Sequence, residues 1–344
     1  MHSCKRIFFA FVLLGSSAQI GNVAAQTPVN GVNYDPAHSE AYLQGQLKND
    51  LQQMTNVINN DLTQIKNSLN FGIIKTYYSE YCTLLWQCVS IAQLASAAGL
   101  KVFLGVYEFP AEPEWTKAQV NAAIAAANNQ TYGNAVIGII VGNEDMFDYA
   151  GVAIPEMQQR IVADIKTIMA RVSVPVTTAQ RQGDWCGGAA PGCDHNRSSN
   201  HHPSLNQSDP YSVLKAVTVI GVNIFPYWSG SPEQIDGLSV ASQTQTTAMQ
   251  LQNQLGKNVI VTEEGWPSCF NPGQNSAATL ANSQDYFATW SKHQNQMFDS
   301  VYFMAYDLAN VSECGTGRRG GDADLHFGLC TNSGANKVAG CAPP

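Results

Sequence analysis

AVIGIIVGNE, residues 135–144, runs almost unbroken through apolar and β-branched residues before it stops at Gly-Asn-Glu. A strand with one face in water alternates apolar and polar residues. A strand in a parallel sheet is covered on both faces and reads as a continuous apolar run. Seven more runs of this kind occur: 29–35, 71–78, 101–109, 174–180, 218–228, 258–266 and 299–307. Between them lie stretches with helical spacing, such as 84–99, 119–129, 155–172, 242–256 and 280–297, several ending in Gly or Asn, the usual helix stops. Eight strands with intervening helices in about 300 residues predict an α/β fold, a single-domain (β/α)8 TIM barrel. An open doubly wound sheet needs a Gly-rich phosphate loop after an early strand, and the sequence has none.

The ends of the chain read differently from its middle. His2, Lys5 and Arg6 precede the apolar stretch 7–15, and Val23 and Ala25 supply a small-residue exit. This is the pattern of a secretory signal peptide over 1–25, too short to span a bilayer. The barrel is then expected over 26–344. Removing 1–25 takes away two cations and no acid, so the formal charge goes from −8 to −10. Such an acidic chain is a poor partner for nucleic acid. The C-terminus lacks the hydrophobic tail of a lipid-anchor signal. A secreted protein, extracellular or in a cell wall, monomeric and without a membrane anchor, is the expectation.

Cysteine usage agrees with export. Eight Cys follow residue 25, an even number. Short spacings favour Cys82–Cys88, Cys186–Cys193 and Cys330–Cys341, leaving Cys269 with Cys314. Zinc is the rival reading, but no Cys-x-x-Cys occurs. His195, His201 and His202 fit no ligand spacing either, so no metal is expected. Asn129, Asn196, Asn206 and Asn310 begin N-x-S/T sequons, which in an exported chain mark glycosylated loops. The largest irregular insert is 184–210, after the fifth run.

Barrel chemistry gathers at the C-terminal ends of the strands. The fourth run ends in Asn143-Glu144-Asp145 and the seventh in Glu263-Glu264; Asp35, Glu108, Asp184 and Asp307 end others. Aromatics crowd the same ends: Tyr34, Tyr77, Tyr107, Phe109, Trp185, Phe225, Tyr227, Trp228, Trp266 and Tyr306. Aromatic faces with polar tips suit the flat C–H face and hydroxyl edge of a sugar ring. Two opposed carboxylates in such a cleft are what glycoside hydrolysis requires. Successive strand residues point to opposite faces, so only one of Glu263 and Glu264 can face the barrel axis. The strand is apolar on both faces, so its pattern does not say which.

VGNE (141–144) and VTEEGWPS (261–268) together resemble glycoside hydrolase family 17, the β-1,3-glucanases and related wall glucanosyltransferases. GVNYD, VNIFPYW and HFGLC extend the resemblance over most of the chain, and the disulfides and the insert look closer to microbial eukaryotic members than to plant ones. The resemblance implies Glu263 as nucleophile and Glu144 as acid/base, with Asn143 on the sugar 2-hydroxyl. It keeps Asn223 and Tyr227 as substrate-binding residues, and Tyr34, Tyr77 and Trp266 join them as aromatics at strand ends. Glu264 is then expected to be a solvated or salt-bridged acid off the axis. Lys75 stands where many members carry Arg, and Phe225 replaces a Tyr. The implied reaction is retaining, endo-type cleavage of β-1,3-glucan, with carboxyl groups about 5–5.5 Å apart. Glu144 is expected to bind its proton unusually tightly because anionic Glu263 lies nearby. A cell-wall glucanosyltransferase using the same residues is the first alternative, and a non-catalytic glucan-binding wall protein the second. No cofactor is implied.

Overall fold

The computed structural model describes residues 30–39, 42, 47–148, 151–185, 212–229, 236–293 and 299–337. The expected signal peptide and most of the insert lie outside the described residues. So do Asn196, Asn206, the three insert histidines and Cys186, Cys193 and Cys341.

The first two strands, β1 (Asn30–Asn33) and β2 (Ile73–Lys75), are followed by an antiparallel hairpin, β3 (Glu80–Cys82) and β4 (Cys88–Ser90). Then come β5 (Lys101–Val106), β6 (Val136–Asn143), β7 (Val176–Arg181), β8 (Ile220–Asn223), β9 (Val259–Glu264) and β10 (Asp299–Tyr302). All but the hairpin close into one barrel in the order β1-β10-β9-β8-β7-β6-β5-β2, every neighbouring pair parallel. The eight barrel strands are the eight predicted runs, trimmed at their ends.

Among the described residues the main helices are α1 (Leu51–Asn67), α2 (Ile91–Ala97), α3 (Pro113–Ala127), α4 (Pro155–Met169), α5 (Gln182–Trp185), α6 (Val213–Ala216), α7 (Gly237–Leu255) and α8 (Leu280–His293). Pro113 and Pro155 open α3 and α4, where a missing N–H costs nothing. Asp50 caps α1 by accepting from the Gln53 N–H at 3.0 Å. Met54, Ile58, Leu62 and Ile65 form the buried stripe of α1 at helical spacing. The predicted helix over 84–99 is corrected. Only 91–97 is helical, because 80–90 fold back as the β3–β4 hairpin closed by the Cys82–Cys88 disulfide.

The main core lies between the barrel wall and the helices. A second cluster, Phe103, Ile140, Ala179, Ile260 and Val301, takes one residue from each of five strands and fills the barrel interior. Gly138 makes room for it: a Cβ there would lie 2.7 Å from the Phe103 ring. This plug closes the barrel beneath its polar mouth. Cys269–Cys314 is bonded as expected, and Cys330 is also disulfide-bonded. Among the described residues no helix is long and apolar enough to cross a membrane.

Candidate active site

The pleat decides between the two adjacent acids. Near its end β9 pairs Asn223 with Glu263 on one side and Tyr302 with Glu264 on the other. Glu263 points to the axis, where its Oε1 accepts from Lys75 Nζ at 2.6 Å and from the Tyr77 hydroxyl at 2.8 Å. Oε2 takes no hydrogen bond from the described residues. Glu264 points outward, into the helix layer. It accepts from the Tyr286 hydroxyl and Trp290 Nε1, each at 2.9 Å, and from the Ser300 hydroxyl. Glu264 is therefore neither solvated nor salt-bridged, which corrects the expectation. It is buried and held by three neutral donors. That arrangement satisfies a buried carboxyl without a cation.

Glu144 is aimed by its backbone. Gly142 and Glu144 adopt φ of +73° and +55° as the chain leaves β6. For Glu144 the left-handed region costs about 1–3 kcal/mol, so the surroundings must impose it. Its N–H donates to Ala179 O at 2.9 Å, and the next two N–H groups donate to Gln180 Oε1 at 3.1 and 3.2 Å. A Cβ at residue 142 would lie 2.7 Å from Asp145 Oδ2, so a larger residue there would displace the Asp145 carboxylate. The turn carries the Glu144 carboxyl over the barrel mouth, where Oε1 accepts from Asn223 Nδ2 at 2.8 Å. The same amide lies 3.3 Å from Asn143 Oδ1, and Asn223 Oδ1 accepts from Thr262 at 2.7 Å. The amide is thereby fixed with its NH2 toward the acid.

The two carboxyls sit in different electrostatic settings. Burial, reinforced by the negative charge of Glu263, raises Glu144 to about 7. Asn223 and Arg181 oppose the rise, and Asp184 adds to it. Burial is the larger cause, so the neighbouring charge expected from sequence is the second contribution. Lys75 is pulled below its ordinary value by burial, while Glu263 and Glu144 hold it up. Its ammonium also lies 4.5 Å from the centre of the Tyr77 ring. The cation is thus desolvated but doubly compensated.

An open cleft runs across the mouth past Glu144, Glu263, Asn143, Asn223 and Tyr77. Tyr78 and Tyr107 line one part of it, and Phe225, Trp228 and Phe303 another. Three expected substrate-binding residues are corrected. Tyr34 is fully buried, and its hydroxyl donates to Asp61 on α1 at 2.7 Å. Tyr227 and Trp266 are fully buried as well, donating to Asn275 O and Ala277 O at 2.9 and 2.8 Å. Each ring faces the layer between barrel and helices. Trp185 and Tyr306 are buried too. Lys75, bonded to Glu263, and Arg181, in the cleft lining, are cations of the site outside the expected set. An Arg at the Lys75 position of similar sequences was the only signal. Among the described residues, both groups of donor atoms close enough to hold a metal contain the two cysteines of a disulfide.

The fold matches solved glycan-active enzymes. The family 17 β-1,3-glucanosyltransferase of Rhizomucor miehei is 21% identical with a TM-score of 0.59, over 91% of this chain and 98% of that one. An active-site mutant of that enzyme in complex with laminaritriose matches at 21% identity and TM-score 0.57, over 88% and 93%. An endo-laminarinase from Formosa Hel1_33_131 matches at 16% and 0.60, over 89% and 84%. A comparison with curated protein sequences finds no significant match. The model of the BtgE/BtgC glycoside hydrolase domain matches residues 31–318, which takes in the barrel strands and both glutamates. The chain belongs to the BtgE/BtgC glycoside hydrolase domain family.

Proposed function

We propose that the chain is a retaining glycoside hydrolase that cleaves within β-1,3-glucan chains, with Glu144 as acid/base and Glu263 as nucleophile. The observation that carries this reading is the asymmetry of the two glutamates. One is half-buried, accepts a single amide hydrogen bond and keeps its proton up to about pH 7. The other is paired with a cation and a phenol. A carboxyl that holds its proton, set opposite one paired with a cation, assigns the acid and the nucleophile.

Lys75 and Tyr77 both hold Oε1 of Glu263, so Oε2 is the atom free to attack the anomeric carbon. Glu144 gives its proton to the departing glycosidic oxygen as the ester forms. The ester carries no charge, so one cause of the raised Glu144 pKa disappears. Glu144 is then a better-stabilised anion, suited to take a proton from incoming water. Lys75 faces one negative carboxylate before and after this step, first Glu263 and then Glu144, and the site's net charge is unchanged. Asn143, beside the acid in the cleft, is the residue for the 2-hydroxyl. Tyr77 and Asn223 keep the expected cleft roles; Tyr34, Tyr227 and Trp266 are withdrawn from them.

The fold neighbour from Rhizomucor miehei is a glucanosyltransferase, and sugar in place of water at the second step would make this chain one too. Secretion with cleavage after Ala25, wall location and glycosylation at Asn129 and Asn310 belong to the same proposal. A 2-deoxy-2-fluoro-β-laminaribiosyl fluoride tests it by trapping the ester. The peptide containing Glu263 gains the mass of the fluorinated disaccharide. Label on another peptide, or none while glucan is being cleaved, contradicts the assignment.

A further inference from the structure

The β3–β4 hairpin stands at the barrel mouth and takes no part in the reaction above. Its tip exposes three large apolar side chains in a row: Leu84, Leu85 and Trp86 are 68%, 75% and 61% exposed. The Cys82–Cys88 disulfide pins the tip from below. The turn itself is hydrogen-bonded, with Trp86 N donating to Thr83 O at 3.0 Å and Thr83 N to Gln87 O at 2.9 Å. Within it Trp86 adopts φ of +59°. That region suits Gly or Asn and is an outlier for a bulky residue, at a cost of about 1–2 kcal/mol. A tryptophan left mostly in water in a strained turn adds little to the core, which points from the outlier to a use.

The ring leads back to the cleft. Trp86 lies 5.3 Å from Trp115 on α3, Trp115 lies 6.2 Å from Tyr78, and Tyr78 lies 5.6 Å from Tyr107. Tyr78 and Tyr107 line the cleft. A series of aromatic rings, each tilted by 36–65° to the next, thus leads from the site to the hairpin tip. Its charge is also informative. From Thr76 to Leu100 the sole charged residue is Glu80, and the start of α3 adds Glu112 and Glu114 before Lys117. An apolar surface with a few acids and one lysine repels nucleic acid and anionic lipid, and it suits a neutral polymer with C–H faces.

We propose that the β3–β4 hairpin is a remote glucan-binding surface, on which a β-1,3-glucan chain leaving the cleft over Tyr107 and Tyr78 lies against Trp115 and Trp86. The inference rests on the substrate reading above and extends it to long chains. It gives the protein a preference for polymer over short oligosaccharide.

The test uses the full mature chain carrying Glu263→Gln, so that nothing turns over, with and without Trp86→Gly. Binding is measured by calorimetry to long β-1,3-glucan and to laminaritriose. Trp86→Gly weakens long-chain binding roughly tenfold or more and leaves laminaritriose affinity unchanged. Glycine fits the turn, so the urea midpoint does not fall; Trp86→Asn behaves alike. Equal long-chain affinity with and without Trp86 overturns the surface while leaving the cleft assignment intact. An equal loss on laminaritriose places Trp86 in the cleft and overturns its remote role. No binding of either ligand by the parent overturns the glucan reading and this inference with it.

Discussion

Glu144→Gln separates the charge of the acid from its shape, and its effect on stability has a definite sign. The Glu144 carboxyl is raised from the ordinary 4.5 to about 7. Between those two values the folded chain keeps a proton that the unfolded chain has lost. Stability therefore falls as pH rises through that window, and above about 7 the penalty is constant. At about 1.4 kcal/mol per pH unit, the gap amounts to about 3 kcal/mol. The carboxyl borders an open cleft, and solvent there reduces the figure to about 2 kcal/mol. Glutamine keeps the volume and the acceptor oxygen for Asn223 and removes the ionisation. The variant should match the wild type near pH 4 and exceed it by about 2 kcal/mol at pH 8. Urea unfolding at pH 4, 5.5, 7 and 8, read by intrinsic fluorescence, measures the difference directly. A stability difference that does not change between pH 4 and pH 8 refutes the reasoning. The same titration sets the rate profile: kcat/KM for β-1,3-glucan falls as pH rises through about 7, because the acid form is the donor.

Three further outcomes follow from the contacts of the site. Glu264→Gln leaves one of three donors poorly matched and costs about 1–3 kcal/mol in urea unfolding, yet kcat stays within a few-fold, because Glu264 faces α8 rather than the cleft. Lys75→Met strands Glu263 as a buried uncompensated charge and costs about 3–5 kcal/mol, and combining it with Glu263→Gln recovers much of that loss; additive losses in this double-mutant cycle contradict the pairing. Asn223→Ala removes a hydrogen bond that lowers the Glu144 pKa, so the alkaline limb of the rate profile moves to higher pH while kcat falls; an unmoved limb refutes the contact's role.

The barrel was legible because parallel strands buried on both faces leave continuous apolar runs, and all eight were visible as such. The division of labour between Glu263 and Glu264 was legible as a constraint, since the pleat forbids a shared direction. Which acid faces inward needed the resemblance, because β9 is apolar on both sides. Other features were hidden for physical reasons. Tyr34, Tyr227 and Trp266 sit at strand ends, where one residue's shift turns a ring from cleft to core. The run 84–99 has helical spacing throughout, but a disulfide and a cross-strand ladder claim its first seven residues. Helix α1 carries its apolar stripe among Asn, Gln and Thr, which dilute the signal. Lys75 meets Glu263 across 188 residues of sequence, a contact that only barrel closure creates.

Proton NMR of the mature chain acting on linear β-1,3-glucan tests the central assignment most directly. The account predicts that the β-anomer of the new reducing end appears first and equilibrates to the α-anomer afterwards. The α-anomer appearing first would contradict a covalent ester on Glu263 and, with it, the roles given to both glutamates.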